Sequence, residues 1–168
     1  MIQYIQRSRK KGAKQPPNTI YCGRRTVYGN PYSAIAQTDA IPGDNWVVFY
    51  NAPGARYVVK KHATKREALA RAVEEYRKEI FPRLSPVELA RLCSADYLSC
   101  WCKPGEPCHV QDVLIPMVNI TWVCGCGWRG PFRETLECKV VGEDAIKLGC
   151  PDPNCNQICF PQNLLEVK

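Results

Sequence analysis

Three thiols and an imidazole fall within the ten residues Cys100-Trp101-Cys102-Lys103-Pro104-Gly105-Glu106-Pro107-Cys108-His109. Thiolate sulfur and imidazole nitrogen hold soft divalent metals, and they are also the groups that do nucleophilic chemistry. The spacing leaves three uses open. In the first, Cys100, Cys102, Cys108 and His109 bind zinc: residues two apart on a strand share a face, and the following loop returns Cys108 to them. The adjacent pair Cys108 and His109 reaches one metal with difficulty, which counts against a full four-ligand set. In the second, Cys108 is a thiolate at a helix N-terminus, with His109 as its acid or base. In the third, the thiols simply fill space and His109 holds the loop by hydrogen bonding.

A second set of thiols lies on two turns, Cys124-Gly125-Cys126-Gly127 and Cys150-Pro151-Asp152-Pro153-Asn154-Cys155. Two such knuckles joined by strand-like sequence match a tetrahedral zinc site made by Cys124, Cys126, Cys150 and Cys155. A segment of under about 50 residues buries too little apolar surface to fold alone, so the metal supplies the folding free energy. On this pattern residues 120–168 resemble the zinc-ribbon family. They depart from it in having C-x-C for the first knuckle and C-x₄-C for the second. Cys138 and Cys159 are spare thiols able to replace a member.

Eleven cysteines in 168 residues form an odd number, and no apolar N-terminal run of the signal-peptide kind accompanies them. That favours metal binding in a reducing cytoplasm over a disulfide framework. No segment approaches the length of a membrane span. The net charge of +7 is carried at the front, where Arg7, Arg9, Lys10, Lys11 and Lys14 meet no acidic residue before position 19. Residues 121–168 are close to neutral, with five basic side chains against six acidic. A basic surface favours phosphate-bearing partners, or else is a solvated face that aids solubility. The neutral tail argues against non-specific DNA affinity there.

The elements that would position these groups are short. Residues 2–6 and 19–22 read as strands, the first followed by the basic stretch 7–12. Residues 46–50 and 56–60 are β-branched and aromatic, and they predict a hairpin with the five-residue loop 51–55. Thr64 with Glu67, and Ser85 with Glu88, are capping boxes that start two helices. Residues 96–101 predict a strand into the first thiol cluster. A helix is expected over 110–118, weakened or ended early by Pro116. From residue 120 the pattern changes to short strands and glycine turns, so the boundary falls near Asn119, giving domains 1–119 and 120–168.

Arg24, Arg25 and Asn30 follow the second strand, where a strand gives way to a loop and α/β domains usually place ligands. If the strand ending at Cys100 lies parallel beside residues 20–22, then Arg24, Asn30, Cys102, Cys108 and His109 converge on one crevice. Arginine there suits bidentate phosphate binding. Alternatively, Arg24 pairs with a carboxylate and Asn30 merely makes the Gly29-Asn30-Pro31 turn.

Read together, these landmarks resemble an uncharacterised family of small domains found mainly in phages and bacteria. The residues that carry the resemblance are Pro17 with Tyr21-Cys22-Gly23-Arg24, Gly29-Asn30-Pro31-Tyr32, Ala72-Val73-Glu74-Glu75-Tyr76, Leu98 to Pro104, Cys108-His109 and Val113-Leu114. Tyr28 stands where the family pattern usually has tryptophan. The resemblance covers residues 2–119 and implies a small α/β domain that includes the basic opening, with no established reaction.

The expected architecture is therefore α/β: a small sandwich-type α/β domain followed by an all-β zinc ribbon. The expected function is a cytoplasmic, phage-type zinc protein that binds a nucleotide or nucleic acid through a basic crevice. Two alternatives stand beside it: an enzyme acting on nucleotides or nucleic-acid bases through Cys108 and His109, and a module that captures a host protein through the ribbon. The chain lacks a phosphate-loop motif, G-x-G-x-x-G, and the H-x-E with P-C-x-x-C of zinc deaminases.

Overall fold

The structure is a computed structural model that describes residues 1–37, 45–52, 55–131, 148–155 and 157–161. Its centre is a three-stranded parallel sheet. Strand β6 (Tyr97–Cys100) lies between β1 (Gln3–Gln6) and β2 (Thr19–Tyr21), in register Gln3 with Tyr97 on one side and Thr19 with Tyr97 on the other. A central parallel strand is covered on both faces and so reads as a buried run. Leu98, Ser99 and Cys100 are each at most 1% exposed. Ser99, the polar member, donates to Gln15 Oε1 at 3.3 Å.

Between β2 and β6 the chain builds an antiparallel sheet of β3 (Tyr32–Ala36), β4 (Trp46–Ala52) and β5 (Ala55–His62). The hairpin is tighter than its sequence suggests. Pairing runs on through Asn51 with Arg56 to Ala52 with Ala55, because these residues keep the extended ladder; positions 53–54 lie outside the described residues. Helix α1 (Lys65–Glu75) starts at the expected box: Thr64 Oγ1 accepts from the Glu67 N–H, and the Glu67 carboxylate accepts from the Thr64 N–H. Its small residues Ala68 and Ala72 allow close packing on Tyr32 and Val48 of the antiparallel sheet. Helix α2 (Pro86–Cys93) starts at Ser85 by the same device.

After the thiol cluster a regular helix does not form. Residues Val110–Leu114 make a π-helical turn, and only Ile115–Val118 are α-helical (α3). Pro116 has no N–H, so it cannot bond the carbonyl of Asp112, four residues back. That carbonyl instead accepts from Arg77 Nη2 at 3.0 Å.

The C-terminal part has four short antiparallel strands, β7 (Thr121–Cys124), β8 (Arg129–Pro131), β9 (Leu148–Gly149) and β10 (Ile158–Pro161), ordered β8-β7-β10-β9. Trp122, Cys124, Cys150 and Cys159 share one buried cluster with Ile2, Leu114 and Val118 of the front part. The whole is a mixed α/β structure of small sheets and few helices, and its C-terminal cysteines are compatible with a small zinc-binding segment.

One buried network ties the helices to the parallel sheet. Tyr76, fully buried, donates its hydroxyl to the Tyr28 carbonyl at 3.0 Å, and Tyr28 donates to the Glu88 carbonyl at 3.0 Å. The Tyr76 ring lies 4.9 Å from that of His109. Removing the hydroxyl leaves a buried carbonyl short of a partner. Tyr76→Phe is therefore expected to cost about 1–2 kcal/mol, read as a lower urea midpoint at unchanged slope. An unchanged midpoint removes this bond from the account of stability.

Candidate functional site

Parallel strands end at the same edge of a sheet, so whatever follows β1, β2 and β6 must emerge together. The ladder carries on past the strands: the Arg7 N–H donates to the Cys100 carbonyl and the Cys22 N–H to the Ser99 carbonyl, both at 2.8 Å. At this edge opens a crevice of about 560 Å³. Arg9 lines it from the segment after β1, Arg24, Arg25 and Asn30 from the loop after β2, and Trp101, Cys102 and Glu106 from the loop after β6. Ser33 and Ala34 of β3 and Leu69, Ala72 and Val73 of α1 line it from the far side, and Cys100 and His109 also reach it.

Arg24 and Arg25 are exposed, and neither has a hydrogen bond or ion pair with another described residue. Arg25 adopts φ 73°, a left-handed conformation that costs a non-glycine residue about 1–2 kcal/mol. Deeper in, Ser33 is only 5% exposed and its Oγ has no partner. A buried hydroxyl without one costs about 1–3 kcal/mol. Asn30 lines the crevice, but its amide is committed to the fold: Nδ2 donates to the Ala72 carbonyl at 3.0 Å and Oδ1 accepts from the Tyr32 N–H at 2.9 Å. Asn30 thus pins the turn to α1.

At the rim, Trp101 Nε1 donates to the Tyr21 hydroxyl at 2.8 Å. The Arg7 guanidinium lies 4.4 Å from the Tyr21 ring centre and 5.3 Å from that of Trp101, and Arg9 is also 5.3 Å from Trp101. Trp101 keeps 39% of its surface exposed. Sequence reading missed this cation–aromatic cluster and Ser33. The pairing of Trp101 with Tyr21 is set by strand register, and nothing in a Tyr-Ser-Ala run marks the serine as buried.

The Sγ atoms of Cys100, Cys102 and Cys108 all lie within 4.8 Å of one another and could hold a metal ion. Cys100 and Cys108 are 3.3 Å apart. That is far beyond a disulfide bond of about 2.05 Å and near the edge of roughly 3.8 Å that tetrahedral zinc–thiolate bonds imply. The Cys102 N–H donates to Cys100 Sγ at 3.3 Å, and the Tyr4 hydroxyl, 3.5 Å from that sulfur, donates to the Cys102 carbonyl at 2.6 Å. Hydrogen bonds from the Cys102 and Cys108 thiols hold Cys100 down to about 3, and the two neighbours are pushed up in turn. Burial pushes nearby Cys22 up to about 12.

His109 is beside this trio but not of it. Its Nε2 donates to the Cys22 carbonyl at 2.7 Å, and burial lowers its pKa. Cys108 is 1% exposed and does not line the crevice, and its N–H donates to Asp112 Oδ2 at 2.7 Å.

The second cluster brings Cys124, Cys126, Cys150 and Cys155 within the same 4.8 Å limit, and it too could hold a metal ion. Cys124 faces Cys155 and Cys126 faces Cys150, each at 3.6 Å. Gly127, at φ 97°, lets the first knuckle close with its N–H on the Cys124 carbonyl at 2.9 Å. Burial acts to raise the Cys124 pKa, but hydrogen bonds from Cys126, Cys155 and Cys150 outweigh it and lower the value to about 7. Cys159 pairs opposite Cys124 in the ladder and packs in the core, apart from the four. Cys138 lies outside the described residues.

The arginine loop depends on a close backbone approach. A Cβ on Gly29 would fall 2.4 Å from the Gly23 carbonyl oxygen. Gly29→Ala is expected to cost about 1–3 kcal/mol as the loop shifts, measured by urea denaturation. A variant as stable as wild type would show that the loop adapts freely.

No curated protein and no solved structure matches this chain. A family of domains of unknown function (DUF4326) matches residues 5–120, the segment that carries the parallel sheet, the arginine loop and the first thiol cluster. The chain belongs to the DUF4326 family.

Proposed function

We propose that the front domain binds a nucleotide, free or at the end of a nucleic-acid strand, in the crevice at the edge of the parallel sheet. The observation that carries this reading is that Arg24 and Arg25, without a partner among the described residues, line the same crevice as the buried Ser33 Oγ, which likewise has none there. Two guanidinium groups suit the oxygens of a phosphate, which accept charge-assisted bonds in parallel pairs. The half-exposed Trp101 and Tyr21 at the rim offer faces on which a base stacks. A volume of about 560 Å³ lies within the usual range for a small-molecule site, about 300–1,000 Å³. An extended duplex needs a longer basic surface.

At the second cluster we infer zinc, because four thiolates in a tetrahedral group select that ion. Its role is structural, since all four positions are filled by the chain. Cys93, Cys100, Cys102 and Cys108 are in no disulfide, which suits a reducing compartment such as the cytoplasm. Among the described residues no helix is long and apolar enough to cross a membrane.

Two measurements test these readings. In calorimetric titration of adenosine and guanosine phosphates and a short oligonucleotide, Arg24→Ala and Arg25→Ala should each weaken binding about tenfold, some 1.4 kcal/mol. Affinity should also fall with added salt. Equal binding by wild type and both variants would dismiss the crevice as the phosphate site. For the zinc, native mass spectrometry of the full chain should show Cys150→Ser losing one ion relative to wild type. An unchanged ion count rejects the four-cysteine assignment.

A further inference from the structure

We infer that Cys100, Cys102 and Cys108 form an open metal centre: three thiolates hold a zinc-class ion whose fourth position faces the crevice. The trio has the compactness of a ligand set, with all sulfurs within 4.8 Å and the closest pair at 3.3 Å. No fourth His, Cys, Asp or Glu among the described residues joins it. Each nearby candidate is engaged elsewhere. His109 Nε2 is on the Cys22 carbonyl, Asp112 Oδ2 is on the Cys108 N–H, Cys22 Sγ is directed to the Ile20 carbonyl at 3.7 Å, and Glu106 is paired with Lys65 at 2.7 Å.

The direction of the missing ligand follows from burial. Cys100 and Cys102 line the crevice, whereas Cys108 lies behind them. An ion bonded to all three has protein on the Cys108 side and the crevice on the other. Structural zinc sites are closed by four protein ligands, while sites that act on a ligand keep one position for water or substrate. The two clusters of this chain fall on opposite sides of that rule. Three thiolates on a divalent ion leave a net charge of −1, and the unpaired Arg24 and Arg25 share the crevice with it. Surrounding groups hold the first sulfur in place: the Cys102 N–H and the Tyr4 hydroxyl both lie against Cys100 Sγ. Such outer contacts orient ligands and tune the metal.

What reaches the fourth position rests on the crevice being a ligand site, but the ion and its open position are tested without any nucleotide. The full chain, loaded with zinc, should carry two ions, and Cys102→Ser and Cys124→Ser one each. After replacement of zinc by cobalt(II), imidazole is the probe. It should shift the visible cobalt bands of wild type and of Cys124→Ser, and leave those of Cys102→Ser unmoved. One ion in wild type overturns the proposal, as does a cobalt spectrum of wild type that imidazole does not change. These two readouts need no variant, so a misfolded serine mutant does not shelter the idea. A protein that carries two ions and answers imidazole while ignoring every nucleotide would keep this inference and sink the nucleotide reading.

Discussion

The parallel pairing of β6 between β1 and β2 is the constraint on which the candidate site depends. Parallel strands cannot be joined by a tight turn, so the chain must travel between them, and all three must release their following segments at one edge. Groups from positions near 9, 24 and 102 are thereby brought together without any local sequence relationship. The basic opening, which alone resembles a solvated arm, becomes one side of a crevice because β1 is locked beside β6 from Gln3 to Gln6. The long excursion between β2 and β6 carries the antiparallel sheet and α1, whose Ala72 and Val73 reach the crevice from the far side.

Holding that edge in place takes buried polar contacts as well as apolar packing. Asn30 ties the turn after β2 to α1, Tyr76 ties the end of the same helix to Tyr28, and His109 ties the loop after β6 back to Cys22. Each joins a loop at the crevice to another element through a backbone carbonyl. Most buried polar groups in this region are satisfied in that way, as desolvation demands. Ser33 Oγ departs from the rule among the described residues, as do Gln15 Nε2 and Arg71 Nε.

Local chemistry was legible in the sequence where one short segment determines the outcome. Thr64 with Glu67 and Ser85 with Glu88 form their capping boxes because the box needs only four residues. The knuckles C-x-C and C-x₄-C were legible because each is itself a turn, although their thiols meet across the sheet, Cys124 with Cys155 and Cys126 with Cys150. Features set at a distance were not legible. Strand β3 is a short Tyr-Ser-Ala-Ile-Ala run with little alternation, and it exists because β4 supplies its ladder. The expected helix does cover 110–118, but Val110–Leu114 are π-helical and only Ile115–Val118 α-helical, and the Asp112 carbonyl that Pro116 cannot bond is satisfied by Arg77, far away in sequence. That His109 could hold the loop by hydrogen bonding was legible as one of three readings, but its partner was not, since the Cys22 carbonyl lies 87 positions earlier.

The two cysteine clusters differ in how the chain gathers their sulfurs. In the C-terminal set both knuckles are turns of the same small antiparallel sheet, so the four sulfurs converge from both sides. In the front set the first two thiols extend from a strand edge and the third returns on a single loop, so all three approach from the protein side. A strand edge in an α/β domain is also where its loops spread apart to admit ligands. The same topology that gathers Cys100, Cys102 and Cys108 therefore leaves the first two at the wall of a cavity with Cys108 behind them, and it sets Arg24 and Arg25 in that same wall.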